Sequence, residues 1–162
     1  MAAVDYFLKM DGIKGESADS KHKDEIDLES WSWGETQTGT FSGGGGGGAG
    51  KVSMQDFQFV IKVNTSSPKL LKACASGEHI KSAVLTCRKA GKEQQEFLKV
   101  TMSDLLVSSF QTSGSSHGDE VPTDQVSLNF AKIEYQYKDQ KSDGTLGGTT
   151  KAGYDVKAMQ KV

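Results

Sequence analysis

The sequence has few cysteines and no long apolar run, and each absence excludes a class of protein. Two cysteines, Cys74 and Cys87, cannot build the disulfide framework of a small secreted domain, so we predict that both are reduced, half-buried thiols. A single Cys74–Cys87 bridge is the less favoured alternative. No stretch approaches the roughly 20 apolar residues that span a bilayer. No run of about 7–15 apolar residues near the N-terminus resembles a signal peptide. We therefore expect a protein that is made in the cytoplasm and does not insert into membranes.

An excess of charge of one sign is also missing. The chain carries 19 Lys and Arg against 21 Asp and Glu, for a net charge of −2 at pH 7. A protein with this charge balance lacks the excess of positive charge by which proteins bind nucleic acids or anionic membranes, so we expect neither as a partner. With 162 residues, the chain can bury roughly 70% of its unfolded surface without disulfides or metals. We predict a single domain over residues 1–162.

Alternation of apolar and polar residues is the strongest signal that the sequence does contain. A period of two residues is typical of β-strands, and it indicates about eight of them, which favours a β-sandwich or β-barrel. The apolar phase slips within the second and seventh segments, as expected for a bulge or bend. The fifth and sixth segments are either two strands or one bent strand. The segments are 4–10, 26–33, 52–63, 83–88, 97–101, 105–110, 126–137 and 154–158.

One segment, residues 67–77, predicts a short helix instead. Ser67 is a residue type that caps the free N–H groups of a first turn, and Pro68 suits the first helical position. Gly77 can adopt the left-handed conformation that ends a helix. The apolar residues that we place on one helical face are Leu70, Leu71 and Cys74.

Several predicted strands carry apolar side chains on both faces, with Phe7 and Val60 on the second face of theirs. A monomeric antiparallel barrel usually has one polar face, so this excess indicates a subunit interface or a helix packed over the sheet. The remaining polar and glycine-containing stretches predict loops. They are 14–23, 36–50, 111–123 and 139–150.

The glycine-rich stretch within residues 36–50 nearly matches a phosphate-binding loop. Residues 45–51 fit the pattern G-x-x-x-x-G-K, but the next residue is Val52, where magnesium binding needs Ser or Thr. The segment that follows alternates like a strand, whereas a phosphate site needs a helix N-terminus there. Six consecutive glycines are also too flexible to hold backbone N–H groups around an anion. We interpret the stretch as a loop that orders against a neighbouring molecule.

No other residue pattern indicates catalysis, a metal or a cofactor. The three histidines, His22, His79 and His117, share no metal-ligand spacing, and we predict that all three lie at the surface. The chain lacks the G-x-S-x-G nucleophile motif. Adjacent carboxylates such as Asp24 and Glu25 would point to opposite faces of a strand, so we expect solvated charge there. The sequence therefore favours a protein that is not an enzyme.

Two tryptophans, Trp31 and Trp33, lie two residues apart and would share one face of a strand. Such a pair is either a stacking platform for a sugar or base, or, more commonly, part of a hydrophobic core. Ser30 and Ser32 then lie on the opposite face, toward solvent or a partner.

Many short motifs, in order along nearly the whole chain, resemble the haemolysin-coregulated protein (Hcp) family of type VI secretion systems. The differences from the family pattern lie in loops, chiefly 112–123 and 139–153. The motifs that carry the resemblance are VDYFLK at 4–9, KGES at 14–17, EID at 25–27, WSWG at 31–34, GGGGGAGKV at 44–52, QD at 55–56, SP at 67–68, ACASG at 73–77, RKAG at 88–91, LVSS at 106–109 and LNFA at 128–131.

The resemblance implies a mostly β fold: a small antiparallel β-barrel of about eight strands with one short flanking α-helix. It also implies a homohexameric ring that stacks into a tube. A contractile sheath on a baseplate would expel the tube, with a trimeric VgrG spike at its tip, from the cytoplasm without a signal peptide. Small effector proteins would bind in the ring lumen, for which Ser30 and Ser32 are candidates. The candidates for subunit or ring contacts are Gly44, Gly45, Gly46, Gly47, Gly48 and Lys51.

Two other functions stay open at this point. One is a monomeric β-barrel that binds a carbohydrate or peptide through Trp31 and Trp33. The other is a nucleotide-binding enzyme that uses residues 45–51.

Overall fold

A computed structural model describes residues 4–39, 49–89, 94–118 and 121–162. Within these ranges the chain forms eleven strands and one helix. In chain order they are β1 (Val4–Met10), β2 (Ile26–Asp27), β3 (Ser30–Ser32), β4 (Glu35–Gly39), β5 (Ala49–Met54), β6 (Phe57–Lys62), α1 (Ser67–Ser76), β7 (Ile80–Lys89), β8 (Glu96–Ser113), β9 (Thr123–Gln140), β10 (Leu146–Asp155) and β11 (Gln160–Lys161).

Nine of these strands form one antiparallel sheet that curves into a barrel-like fold. The main path runs β11-β10-β9-β8-β7-β1-β2, and β6 adds to β9 with β3 on its other side. The ladder does not close continuously, but residues between β2 and β3 bridge the gap. The backbone N–H of Leu28 donates to the carbonyl of Tyr6 (3.0 Å), and that of Glu29 donates to Val60 (2.8 Å). The predicted fold, mostly β with a single short helix, is confirmed.

Residues 52–63, predicted as one strand, are two strands that belong to different sheets. The break falls at Gln55 and Asp56, between β5 and β6. The carboxylate of Asp56 accepts hydrogen bonds from the side chains of Ser108 (2.6 Å) and Asn129 (2.9 Å), which fixes the turn on the barrel. These long-range bonds explain why the alternating pattern did not reveal the break.

Residues 36–50, 139–150 and 154–158 differ from their predicted form, whereas residues 97–110 adopt one of the two forms left open. Within 139–150, only residues 141–145 lie outside β9 and β10. We expected residues 36–50 to be a loop, but both ends of this stretch lie in strands. These strands, β4 and β5, pair with each other as a two-stranded hairpin. Residues 97–110 lie in the single strand β8, with Asp104 at a φ of 51° and a register shift between Val107 and Ser109. The prediction of a strand over 154–158 was wrong beyond Asp155, because β10 ends there and a turn leads into β11.

The helix lies where Pro68 and Gly77 predicted it. Gly77 ends α1 in the left-handed conformation, with a φ of 64°. Ser67 is the first helical residue and not the cap: its hydroxyl donates to the buried carboxylate of Asp124 (2.5 Å). Leu70 is buried, but Leu71 is 54% exposed, because one residue further along a helix lies about 100° around its axis. The prediction that Leu71 shares the packed face was wrong.

The core fills the interior of the barrel with aliphatic and aromatic side chains. Phe57 and Phe59 are among the largest fully buried residues and contact each other at a centroid distance of 6.2 Å. Both cysteines are free thiols, as predicted, and Cys74 is half-buried. Cys87 is fully buried instead, and this burial raises the pKa of its thiol to about 12. In the described part of the chain, no helix has the length and apolar character to cross a membrane.

Candidate functional site

Four neighbouring strands, β3, β6, β9 and the C-terminal half of β8, present a mostly polar surface on the outside of the barrel, with Val60 as the apolar outward residue of β6. The cross-strand registers Ser32 to Gln58, Gln58 to Ser127 and Ser127 to Ser109 place these side chains side by side. They form a shallow depression of about 400 Å³ with no charged lining residue among those that the structure describes. We call it the serine–glutamine face; its polar residues are Ser30, Ser32, Gln58, Ser109, Gln111, Gln125 and Ser127.

Strand alternation explains why Ser30 and Ser32 point outward. Trp31, between them, lies on the core side, where its indole stacks on Phe57 at 5.9 Å with an interplanar angle of 13°. Its ring also contacts the edge of Tyr6 at 6.2 Å. Both serines are exposed, as the sequence pattern predicted. The serine–glutamine face therefore lies on a rigid aromatic layer.

The hairpin of β4 and β5 is a second distinct feature. It forms a sheet of its own, and every described residue of β4 is exposed. At its base the backbone N–H of Gln55 donates to the carbonyl of Gly34 (2.9 Å). Lys51 is exposed on β5. The predicted contact residues Gly44, Gly45, Gly46, Gly47 and Gly48 lie outside the described residues.

On the core side of β3, four aromatic residues line a hollow of about 580 Å³. Trp31, Trp33, Tyr135 and Tyr154 surround it, and we call it the aromatic hollow. Both tryptophans are half-buried, and Trp33 contacts Phe130 at a centroid distance of 6.3 Å. The tryptophans thus pack against the core and still border an open space.

A buried histidine is the feature that the sequence failed to predict. His22 is 7% exposed and stacks on Phe7 at 4.4 Å, with the rings 8° from parallel. Its Nδ1 lies 2.9 Å from Glu25 and its Nε2 lies 2.6 Å from Glu96. The prediction of a surface position was wrong for His22, whereas His79 and His117 are exposed.

The loop over residues 14–23 explains this burial, because it folds back across the outer face of β1. Phe7, whose outward position indicated a subunit interface or a packed helix, is instead covered by this loop of its own chain. Gly15 permits the close approach: a Cβ there would lie 2.6 Å from the carbonyl oxygen of Glu25. In the sequence, the apolar Phe7 on the outer face of β1 was the one indication that another segment covers this face.

Arg88, on β7, ties the same loop to the barrel. It is 3% exposed, and its Nη2 donates to Asp5 (3.1 Å) and to Asp19 (2.8 Å) while the guanidinium lies over the Phe7 ring at 4.8 Å. The hydrogen bond from Arg88 lowers the pKa of Asp19 from 3.8 to about 2. Burial, together with neighbouring carboxylates, raises the pKa of Asp27. We interpret this network as structural, since it ties a loop to the barrel.

We expect acid to weaken the folded state through Asp19. Because its pKa in the folded state lies below its ordinary value of 3.8, Asp19 stabilises fully above about pH 4 and loses this contribution as the pH falls toward 2. Asp19→Asn should lower the free energy of unfolding at pH 7 and flatten its decline between about pH 4 and 2. Urea denaturation across this range measures both, with Asp11→Asn as an exposed control. A pH profile unchanged from the wild type would contradict the pairing.

The described residues do not assemble a metal-binding cluster. No group of three or more His, Cys, Asp or Glu side chains among them could hold a metal ion. The polar side chains of the serine–glutamine face are hydroxyls and amides, which bind by hydrogen bonds, and the apolar Val60 lies between Ser30 and Gln125.

Comparison with known proteins agrees with these features. The family described as "Type VI secretion system effector, Hcp" matches residues 7–137. The chain is 52% identical to protein Hcp1 of Pseudomonas aeruginosa over 157 residues, which cover 96% of each chain. The chain belongs to the Hcp family. This family consists of structural, secreted proteins of type VI secretion systems and not of enzymes.

Solved structures of Hcp proteins share the fold. Hcp1 from Salmonella typhimurium superimposes with a TM-score of 0.83 at 42% identity, covering 99% of this chain and 100% of that one. A second structure, of a type six secretion system protein, gives a TM-score of 0.93 at 26% identity, with 99% and 100% coverage. The Hcp resemblance of the sequence motifs is thereby confirmed over nearly the whole chain.

Proposed function

We propose that this Hcp protein is a structural subunit of the type VI secretion tube, in which six copies form a ring and rings stack into a tube. The observation that carries the proposal is family membership across nearly the whole chain. Two features support it: a polar sheet face on one side of the barrel, and a hairpin that lies outside the main sheet. A tube subunit needs both an inner surface for passage and outer elements for contact.

We place the serine–glutamine face, with Ser30 and Ser32, toward the ring lumen. Uncharged hydroxyl and amide groups can donate and accept hydrogen bonds with many partners. They also present no charge that would exclude cargo of either sign. Such a surface suits weak contact with small effector proteins that must later be released.

The hairpin with Gly44–48 and Lys51 provides the contact to neighbouring subunits or rings. A two-stranded sheet is marginally stable in water by itself. Because β4 is exposed along its whole length, packing against another copy would stabilise it. Contacts of this polar kind are modest in strength, which suits rings that assemble and later separate.

The remaining partners in this proposal are those of the secretion apparatus. A contractile sheath and baseplate would surround and expel the tube, and a VgrG spike would cap it. The protein would fold in the cytoplasm and reach the extracellular space or a target cell through this apparatus.

Light scattering of the purified protein tests the ring directly. We expect a mass of six times 17.4 kDa and ring-shaped particles in end-on electron micrographs. The alternative, a monomeric binding module that uses Trp31 and Trp33, predicts 17.4 kDa. A single copy at high concentration would overturn the proposal for a ring.

A further inference from the structure

The aromatic hollow is a large feature to which the proposed tube function assigns no role. It lies on the core side of β3, whereas the serine–glutamine face lies on the opposite side. Its floor is apolar, formed by Ile133, Ala152 and Gly153. Tyr135 is 43% exposed, so water reaches the hollow. An exposed aromatic recess of this size is a place where a partner group gains free energy on binding.

The charge at the hollow is negative and unpaired. Glu35 lines it and is exposed, and among the described residues it forms no ion pair. The faces of the surrounding indole and phenol rings carry negative quadrupole potential, which attracts cations. A fitting ligand therefore brings a positive charge.

A free strand edge lies beside the hollow. Ala152 and Gly153 belong to β10, which pairs with β9 along one side. On the other side, β11 pairs with Tyr154 and Asp155, and the backbone N–H of Val162 donates to the carbonyl of Gly153 (3.1 Å). In the described residues, this edge of β10 is therefore uncovered from Ala152 back to Leu146. An uncovered edge can pair with an extended peptide segment, which places alternate side chains into neighbouring pockets. This favours a polypeptide over a small free cation.

We propose that the aromatic hollow binds a lysine or arginine side chain carried by an extended segment of a partner protein. The cation lies against the rings of Trp31, Trp33 and Tyr135, near the carboxylate of Glu35. A sugar fits less well, because the apolar floor would leave most of its hydroxyls without partners.

Tryptophan fluorescence tests this proposal without knowledge of the natural partner. The chain has two tryptophans and both line the hollow, so the emission reports on this site. The probe is the peptide acetyl-Gly-Lys-Gly-amide, with acetyl-Gly-norleucine-Gly-amide as the uncharged control. We expect a saturable change with the lysine peptide and at least a fivefold weaker response to norleucine. Glu35→Gln should weaken lysine binding about fivefold, whereas Glu78→Gln, an exposed carboxylate outside the hollow, should leave it unchanged.

Every other outcome overturns the assignment. Equal responses to the two peptides would mean that the hollow takes any apolar chain. A response to methyl glucoside alone would show that the hollow binds a sugar. A response to neither peptide would show that the hollow does not bind a basic side chain. Emission that shifts only with protein concentration would assign a second copy of this chain. The ring mass is measured separately, so failure here is distinguishable from failure of the tube function.

Discussion

Replacing Phe57 by alanine is expected to lower the free energy of unfolding by about 3–5 kcal/mol, the range for removing a buried phenylalanine. Phe57 is fully buried. Its ring stacks on Trp31 and contacts Phe59 in a tilted arrangement. The substitution would leave a cavity under the aromatic layer that bears Ser30 and Ser32. Urea denaturation followed by circular dichroism measures the loss.

Two matched variants make this result specific to packing. Phe57→Leu keeps an apolar side chain of similar size and should cost less than the alanine variant. Leu71→Ala removes an apolar group that is 54% exposed and should change stability by no more than about 0.5 kcal/mol. A loss below about 1 kcal/mol for Phe57→Ala would contradict the packing described for the core.

Replacing Arg88 by alanine is expected to cost about 2–3 kcal/mol. Breaking a buried ion pair usually costs about 3–5 kcal/mol, because the remaining charge lacks a partner. Here Asp5 and Asp19 stay partly exposed, so water compensates part of the loss. Two other nitrogens of Arg88 are buried without acceptors, and removing them recovers some free energy. The effect is therefore smaller than for an enclosed pair.

Denaturation in urea at pH 7 also measures this second effect. Lys81→Ala, an exposed position on the same strand, is the control and should stay within about 0.5 kcal/mol of the wild type. Arg88→Lys keeps the charge but lacks the planar guanidinium that lies over the Phe7 ring at 4.8 Å, so we expect an intermediate loss. Equal stability of the alanine variant and the wild type would contradict the anchoring role of Arg88.

Local signals predicted the parts of the fold that depend on neighbours in sequence. Alternation placed Ser30 and Ser32 outward and Trp31 inward, because successive strand residues point to opposite faces. Pro68 and Gly77 located the helix, since each restricts or permits particular backbone angles. The same reasoning missed the strand break at residues 55–56, because distant side chains hold that turn.

Contacts between distant segments decided the rest. His22 meets Glu96, 74 residues away, and this pairing converts an expected surface histidine into a buried one. The aromatic hollow joins β3 to the end of β10, so tryptophan spacing alone could not show it. The sequence by itself determined the strand periodicity, the helix ends and the Hcp family. Only the tertiary structure decided which outward residues are covered and which aromatic rings enclose a site, because burial depends on segments that the chain brings together only when it folds.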